Sequence, residues 1–129
     1  MKIPFSVNLS GKTAIVTGGS GTLCSAMAYG LAVSGAKVAL IGRNKEKMSK
    51  VVSELTDNAL KENNATVTIN GYCCNVTDKE ELTKIYEVIK ADLGSCDILI
   101  NGAGGNQPGA ITSTEMLKKE EGADDYSFW

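Results

Sequence analysis

A chain of 129 residues, 43% hydrophobic and 22% charged, has the size of one globular domain and can bury a core. Its 13 basic residues are dispersed among 15 acidic ones, and the net charge of −2 argues against a nucleic-acid surface. No run is long enough to span a bilayer, and residues 1–8 hold no signal-peptide core, so the expected setting is the cytoplasm, with no membrane partner.

After an extended entry ending at Ser10-Gly11, the β-branched run from Thr13 to Thr17 predicts a first strand. Gly18-Gly19-Ser20-Gly21 follows as a glycine turn, and a helix is expected from Leu23 to about Ser34. Backbone N–H groups of such a turn and of the first helical turn have no internal partners, and the helix dipole adds positive charge there, so a pyrophosphate fits. Gly18, Gly19 and Gly21 are expected to take positive φ and let a ligand come close. Glycines alone would equally suit a surface turn; the strand before and the helix after favour the phosphate site. Leu23, Met27 and Leu31, spaced i, i+4, i+8, predict the helix's apolar face, and Gly35 suits the left-handed position after its end.

Lys37 to Ile41 is a near-continuous apolar run, as in a parallel strand covered on both faces. Gly42-Arg43-Asn44 comes next, where a carboxylate would bind an adenosine ribose and a cation suits a 2′-phosphate. Arg43 also reads as a solvated loop charge, and Asn44 as the cap of the next helix. From Lys45 to about Asn63, the residues Met48, Val51, Val52, Leu55 and Ala59 keep helical spacing. Thr66 to Tyr72 predicts a third strand, ending in Cys73-Cys74-Asn75-Val76, and Thr77-Asp78-Lys79-Glu80 reads as a capping box. The helix from Asp78 to Leu93 is expected to turn Leu82, Ile85, Val88 and Ile89 to one face, with Gly94 at its end. Asp97 to Ile100 is a fourth strand, followed by Asn101-Gly102-Ala103-Gly104-Gly105-Asn106. Gln107-Pro108-Gly109 reads as a turn, and a polar stretch leads to the terminal Tyr126-Ser127-Phe128-Trp129. Cys24, Cys73, Cys74 and Cys96 have neither metal-ligand spacing nor any histidine beside them, so reduced, mostly buried thiols and no metal are expected. Cys24, near a helix N-terminus, reads either as a small residue tolerated at a helix–strand contact or as a thiol whose oxidation could close the pyrophosphate site.

Thr17-Gly18 opening a glycine turn after the first strand, with Asn101-Gly102-Ala103-Gly104 after the fourth, resembles the short-chain dehydrogenase/reductase family. The expected fold is α/β, a Rossmann-type doubly wound parallel sheet of order 3-2-1-4, truncated after the fourth strand. The ligand crevice then lies at the tips of strands one and four. The resemblance implies a nicotinamide dinucleotide, with Gly18, Gly19, Ser20, Gly21, Thr22 and Leu23 around the pyrophosphate. Arg43 and Asn44 would face the adenosine ribose, with NADP(H) favoured over NAD(H). Asn75, in place of the family's usual Asp, would accept a hydrogen bond from the adenine amine, with Val76 lining the same pocket. Asn101 would steady the sheet, and Gly102, Ala103 and Gly104 would pass near the cofactor ribose. Thr22 and Cys24 replace the family's second and third glycines, which crowds the pyrophosphate and thickens the helix–strand contact.

Tyr86-Glu87-Val88-Ile89-Lys90 has the family's catalytic Tyr-x-x-x-Lys spacing, but that pair belongs on a helix well after the fourth strand. It is read here as part of an amphipathic helix, and no catalytic residue is assigned. Residues 1–105 are expected to form the nucleotide-binding half, and 106–129 a segment leading to a missing half that carries the catalytic residues. The chain alone should therefore be inactive, and a homo-oligomer is expected only of its parent. The parent looks most like the sugar-acid branch, enzymes similar to D-mannonate oxidoreductase or gluconate 5-dehydrogenase. Its reaction would be hydride transfer between nicotinamide and a small-molecule ketone or secondary alcohol. The alternatives are a nucleotide-binding module without catalysis and an S-adenosylmethionine-binding Rossmann domain, for which Gly42-Arg43 lacks the ribose carboxylate.

Overall fold

The computed structural model describes residues 6–104. The segment expected at 106–129, the Gln107-Pro108-Gly109 turn, the aromatic cluster at Tyr126 to Trp129, and Gly105 and Asn106 lie outside the described residues. Four strands and three helices alternate: β1 (Thr13–Thr17), α1 (Thr22–Val33), β2 (Lys37–Gly42), α2 (Lys45–Asn63), β3 (Thr68–Cys73), α3 (Lys79–Leu93) and β4 (Ile98–Asn101). The strands form one parallel sheet, as the succession of apolar runs and covering helices predicts, and its order β3-β2-β1-β4 is the one implied by the resemblance carried by the two glycine turns.

Each face of the sheet carries its own core. Ala14, Val16, Val38, Leu40 and Ile69 turn to the face covered by α1 and α2, where Ala28, Ala32 and Met48 meet them. Ile15, Ala39, Ile41 and Tyr72 turn to the opposite face and pack against Ile89 and Leu93 of α3. The alternation follows from the two-residue period of the strand, and burial of each large aliphatic side chain contributes about 1.5–3 kcal/mol. α1 and α2 cover one face and α3 the other, so the chain leaves β1 on one side of the sheet and enters β4 from the opposite side. That reversal opens a crevice at the carboxyl ends of these two strands.

The α1 face is corrected by the structure. Leu31 packs against the core as expected, but Leu23 is 73% exposed and Met27 36%, whereas Cys24, Ala28 and Ala32 are buried. All three positions lie one residue beyond the predicted stripe, because the helix approaches the sheet through its small side chains. On α3, Ile89 and Leu93 are buried and Leu82 and Ile85 pack against that core, but Val88 is 46% exposed. The cap of α3 is Asp78, not Thr77; its Oδ1 accepts from the N–H groups of Glu80 and Glu81, both at 3.0 Å. Asn44 caps α2 as expected, accepting from Lys47 N at 2.9 Å. Of the turn glycines, only Gly18 has positive φ, at 66°; Gly35 and Gly94, after α1 and α3, also have it. Cys24 and Cys74 are buried, but Cys73 is exposed and Cys96 half-buried.

If the small-residue face of α1 sets its distance from the sheet, Ala28→Leu should cost about 1–3 kcal/mol by overpacking. Leu23→Ala should change stability by less than about 0.5 kcal/mol. Urea unfolding of the two variants checks this, and the opposite ranking would restore the Leu23 face as the buried one.

Candidate functional site

The crevice at the tips of the strands encloses about 710 Å³. Its centre is the meeting of two glycine turns. A Cβ on Gly18 would lie 2.6 Å from Gly102 O, and a Cβ on Gly102 would run into Cys24 Sγ and stand 2.8 Å from Thr17 O. Glycine is therefore required by the approach of one backbone to the other. Thr17 fastens the contact, since its Oγ1 accepts hydrogen bonds from the N–H groups of Gly102 and Ala103, both at 3.1 Å. At the other end of β1, Thr13 N donates to Asp97 Oδ2 at 2.9 Å and Thr13 Oγ1 to Leu93 O at 2.9 Å. The two threonines tie β1 to β4 at both ends.

Gly18, Ser20 and Gly21 form the wall below α1, and Gly102, Ala103 and Gly104 the wall on the β4 side. The N-cap of α1 is Gly21, with no side-chain cap hydrogen bond and no acidic residue in the first turn. By contrast, Asn44 and Asp78 occupy the first turns of α2 and α3. The N-terminal end of α1 thus adjoins the crevice through its cap residue Gly21, with no capping side chain to compete for an anion.

Beyond β2, Arg43 and Lys47 bring two cations to the wall, and among the described residues no carboxylate lines it. Among the described residues the only ion pair is Lys50 with Glu54. Beyond β3, Cys74, Asn75, Val76 and Thr77 complete the wall. Burial pushes the Cys74 thiol above its usual range, and the nearby Glu81 and Asp78 carboxylates add to this, so it is a neutral thiol at physiological pH.

Five predicted site residues stand back from the wall. Gly19 is turned toward Leu40, to which a Cβ would come within 2.9 Å. Thr22 and Leu23 are exposed in the first turn of α1 and are not among the residues that line the crevice. Asn44 is occupied by its cap, and Asn101 is the exposed end of β4. Cys24 is buried under Gly102, which removes the basis for an oxidation-sensitive gate. Tyr86 is half-buried on α3 and packs against the core on that face, and neither it nor Lys90 lines the crevice. Thr17 and Lys47 are absent from the predicted set: Thr17 acts through a contact 85 residues away in sequence, and Lys47 blends with the charged face of α2.

The profile of the short chain dehydrogenase family matches residues 12–123. The uncharacterized oxidoreductase UxuB of Bacillus subtilis (strain 168) is 46% identical over 127 residues, 98% of this chain and 42% of its own length. A Haemophilus influenzae protein provisionally assigned as a D-mannonate oxidoreductase, solved with NAD bound, is 39% identical with a TM-score of 0.67, over 88% of this chain and 38% of its own. L-Sorbose reductase from Gluconobacter frateurii, solved with NADPH and L-sorbose, is 25% identical with a TM-score of 0.70, over 90% and 41% of the two chains. The chain thus spans about two-fifths of the relatives it matches.

Replacing Thr17 by Val keeps the shape of β1 but leaves the two amides of the β4 turn without their acceptor. The variant should lose about 1–3 kcal/mol, read from the urea midpoint at unchanged m. Amide exchange at Gly102 and Ala103 should accelerate more than exchange in β2; equal acceleration would show that Thr17 is not the clasp.

Proposed function

The chain belongs to the short-chain dehydrogenase family, and on that premise we propose that its crevice holds a nicotinamide dinucleotide, with NADP(H) preferred over NAD(H). The observation that carries this reading is the contrast among the three helices of the described residues: of these only α1 has no side-chain cap, at a crevice walled by Gly18, Gly21 and Gly102. The N–H groups of its first turn would hold the pyrophosphate. Arg43 and Lys47 would meet a 2′-phosphate beyond β2, and Asn75 and Val76 the base beyond β3. Gly102, Ala103 and Gly104 leave room for the ribose next to the nicotinamide.

When bound, the nicotinamide supplies or accepts hydride at its C4. The residues of this chain bind and orient the dinucleotide; the group that moves the proton to or from the substrate oxygen is assigned to the portion of the relatives that this chain does not span. The reaction proposed for the whole protein is hydride exchange with a ketone or secondary alcohol, and a sugar acid is the substrate class favoured by the Haemophilus relative. A subunit contact between whole chains and a cytoplasmic setting belong to the same proposal. Among the described residues no helix is long and apolar enough to cross a membrane. Use of NAD(H) is the second reading, favoured by the ligand of that same relative.

Calorimetric titration with NADPH and NADH in parallel separates the two. The expected result is tighter binding of NADPH. Loss of one charge-assisted contact of ~1.5–3 kcal/mol in Arg43→Ala should weaken NADPH about tenfold or more and NADH by less than about threefold. Equal weakening of both, or tighter NADH binding in the unsubstituted chain, would assign Arg43 to the solvated loop and the site to NAD(H).

A further inference from the structure

The strand ends follow the order of the groups along a dinucleotide, with pyrophosphate at β1, ribose at β2 and base at β3. This step rests on the dinucleotide reading above. At the third position stands Asn75, whose side chain is committed in a way its identity alone does not reveal. Its Oδ1 accepts two hydrogen bonds from one residue, from Thr77 N at 3.1 Å and from Thr77 Oγ1 at 2.8 Å.

A peptide N–H can only donate, so the oxygen of the Asn75 amide must face Thr77 and the nitrogen must face away. Both lone pairs of that oxygen are engaged. The backbone is committed as well, since Asn75 N donates to Glu81 Oε2 at 3.3 Å and Asn75 O accepts from Asp78 N at 3.0 Å. Among the described residues no group accepts from Asn75 Nδ2. What Asn75 offers a base is therefore a donor.

A donor matches the ring nitrogens N3 and N7, which accept in adenine and in hypoxanthine alike, and also the O6 carbonyl of hypoxanthine, but it cannot accept from the exocyclic amine that distinguishes adenine. We propose that Asn75 recognises the base of the dinucleotide as a hydrogen-bond acceptor. The site then admits the hypoxanthine form of the cofactor as readily as the adenine form. Thr77 is the positioning residue, because its two donors hold the amide in this sense. An aspartate at the same place would keep one oxygen on Thr77 and turn the other toward the amine, so the specificity resides in the Asn75–Thr77 pair.

The test titrates the 129-residue chain with NADPH and with its deaminated analogue, reduced nicotinamide hypoxanthine dinucleotide phosphate. The expected dissociation constants lie within about threefold of each other. Asn75→Asp should shift the ratio toward adenine by about tenfold or more. Thr77→Ala frees one lone pair without adding charge beside Glu81, and should shift the ratio the same way by about two- to fivefold. An adenine preference beyond about threefold in the unsubstituted chain, or a ratio unmoved by both substitutions, overturns the inference while NADPH binding preserves the dinucleotide reading. If neither dinucleotide binds, the dinucleotide reading itself fails and this inference falls with it.

Discussion

Two hydrogen bonds from the β4 turn to Thr17 Oγ1 hold together the part of the molecule on which the crevice depends. β1 and β4 are neighbours in the sheet but far apart in sequence, and the segment between them holds two strands and three helices. Without a fastening at the carboxyl ends, two glycine turns would have little reason to keep one conformation, since glycine gives up more freedom on ordering than any other residue. The side chain of Thr17 satisfies two amides at once, and the absence of a Cβ at Gly18 and Gly102 lets the two backbones touch. Rigidity here comes from one hydroxyl and two missing methyl groups.

The packing of α1 follows the same logic. Its buried side chains are Cys24, Ala28 and Ala32, so the helix lies close to β1, and Cys24 Sγ seats directly beneath Gly102. A helix held this near brings its first turn over the end of the strand, where the free N–H groups are of use to an anion. The thiol at position 24 fills space between the helix and the β4 turn. It belongs to the packing of the site and leaves the wall to Gly18, Ser20 and Gly21.

On the other side, Met48 sets the rim. Its side chain occupies the space that a side chain at Gly42 or Gly71 would need, locking the first turn of α2 against β2 and β3. Methionine suits such an irregular gap because it is unbranched and adaptable. The lock fixes where the cations Arg43 and Lys47 stand, on either side of the Asn44 cap. The cation side and the base side of the crevice are thus held by different devices, an apolar plug under α2 and the Asn75–Thr77 hydrogen bonds before α3.

The α/β class and the parallel sheet were legible in the sequence, and the two glycine turns, through the family resemblance they carry, added the strand order and the placement of the crevice. Apolar runs from Thr13 and Lys37, helical spacing from Met48 to Ala59, and the punctuation at Gly35 and Gly94 are local signals, and local periodicity is enough to define elements. Tertiary structure decided the rest. Leu23 and Cys24 are equally plausible helix-face residues until the sheet is present to select the smaller one, and Val88 is apolar yet lies beyond the reach of the α3 core. Thr77 and Asp78 both suit a cap, and only the path of the chain out of β3 gives that role to Asp78 and sends Thr77 back to Asn75. An asparagine in a sequence can donate or accept; which it does at a binding site is set by the neighbour that claims its oxygen, and that neighbour is chosen by the fold.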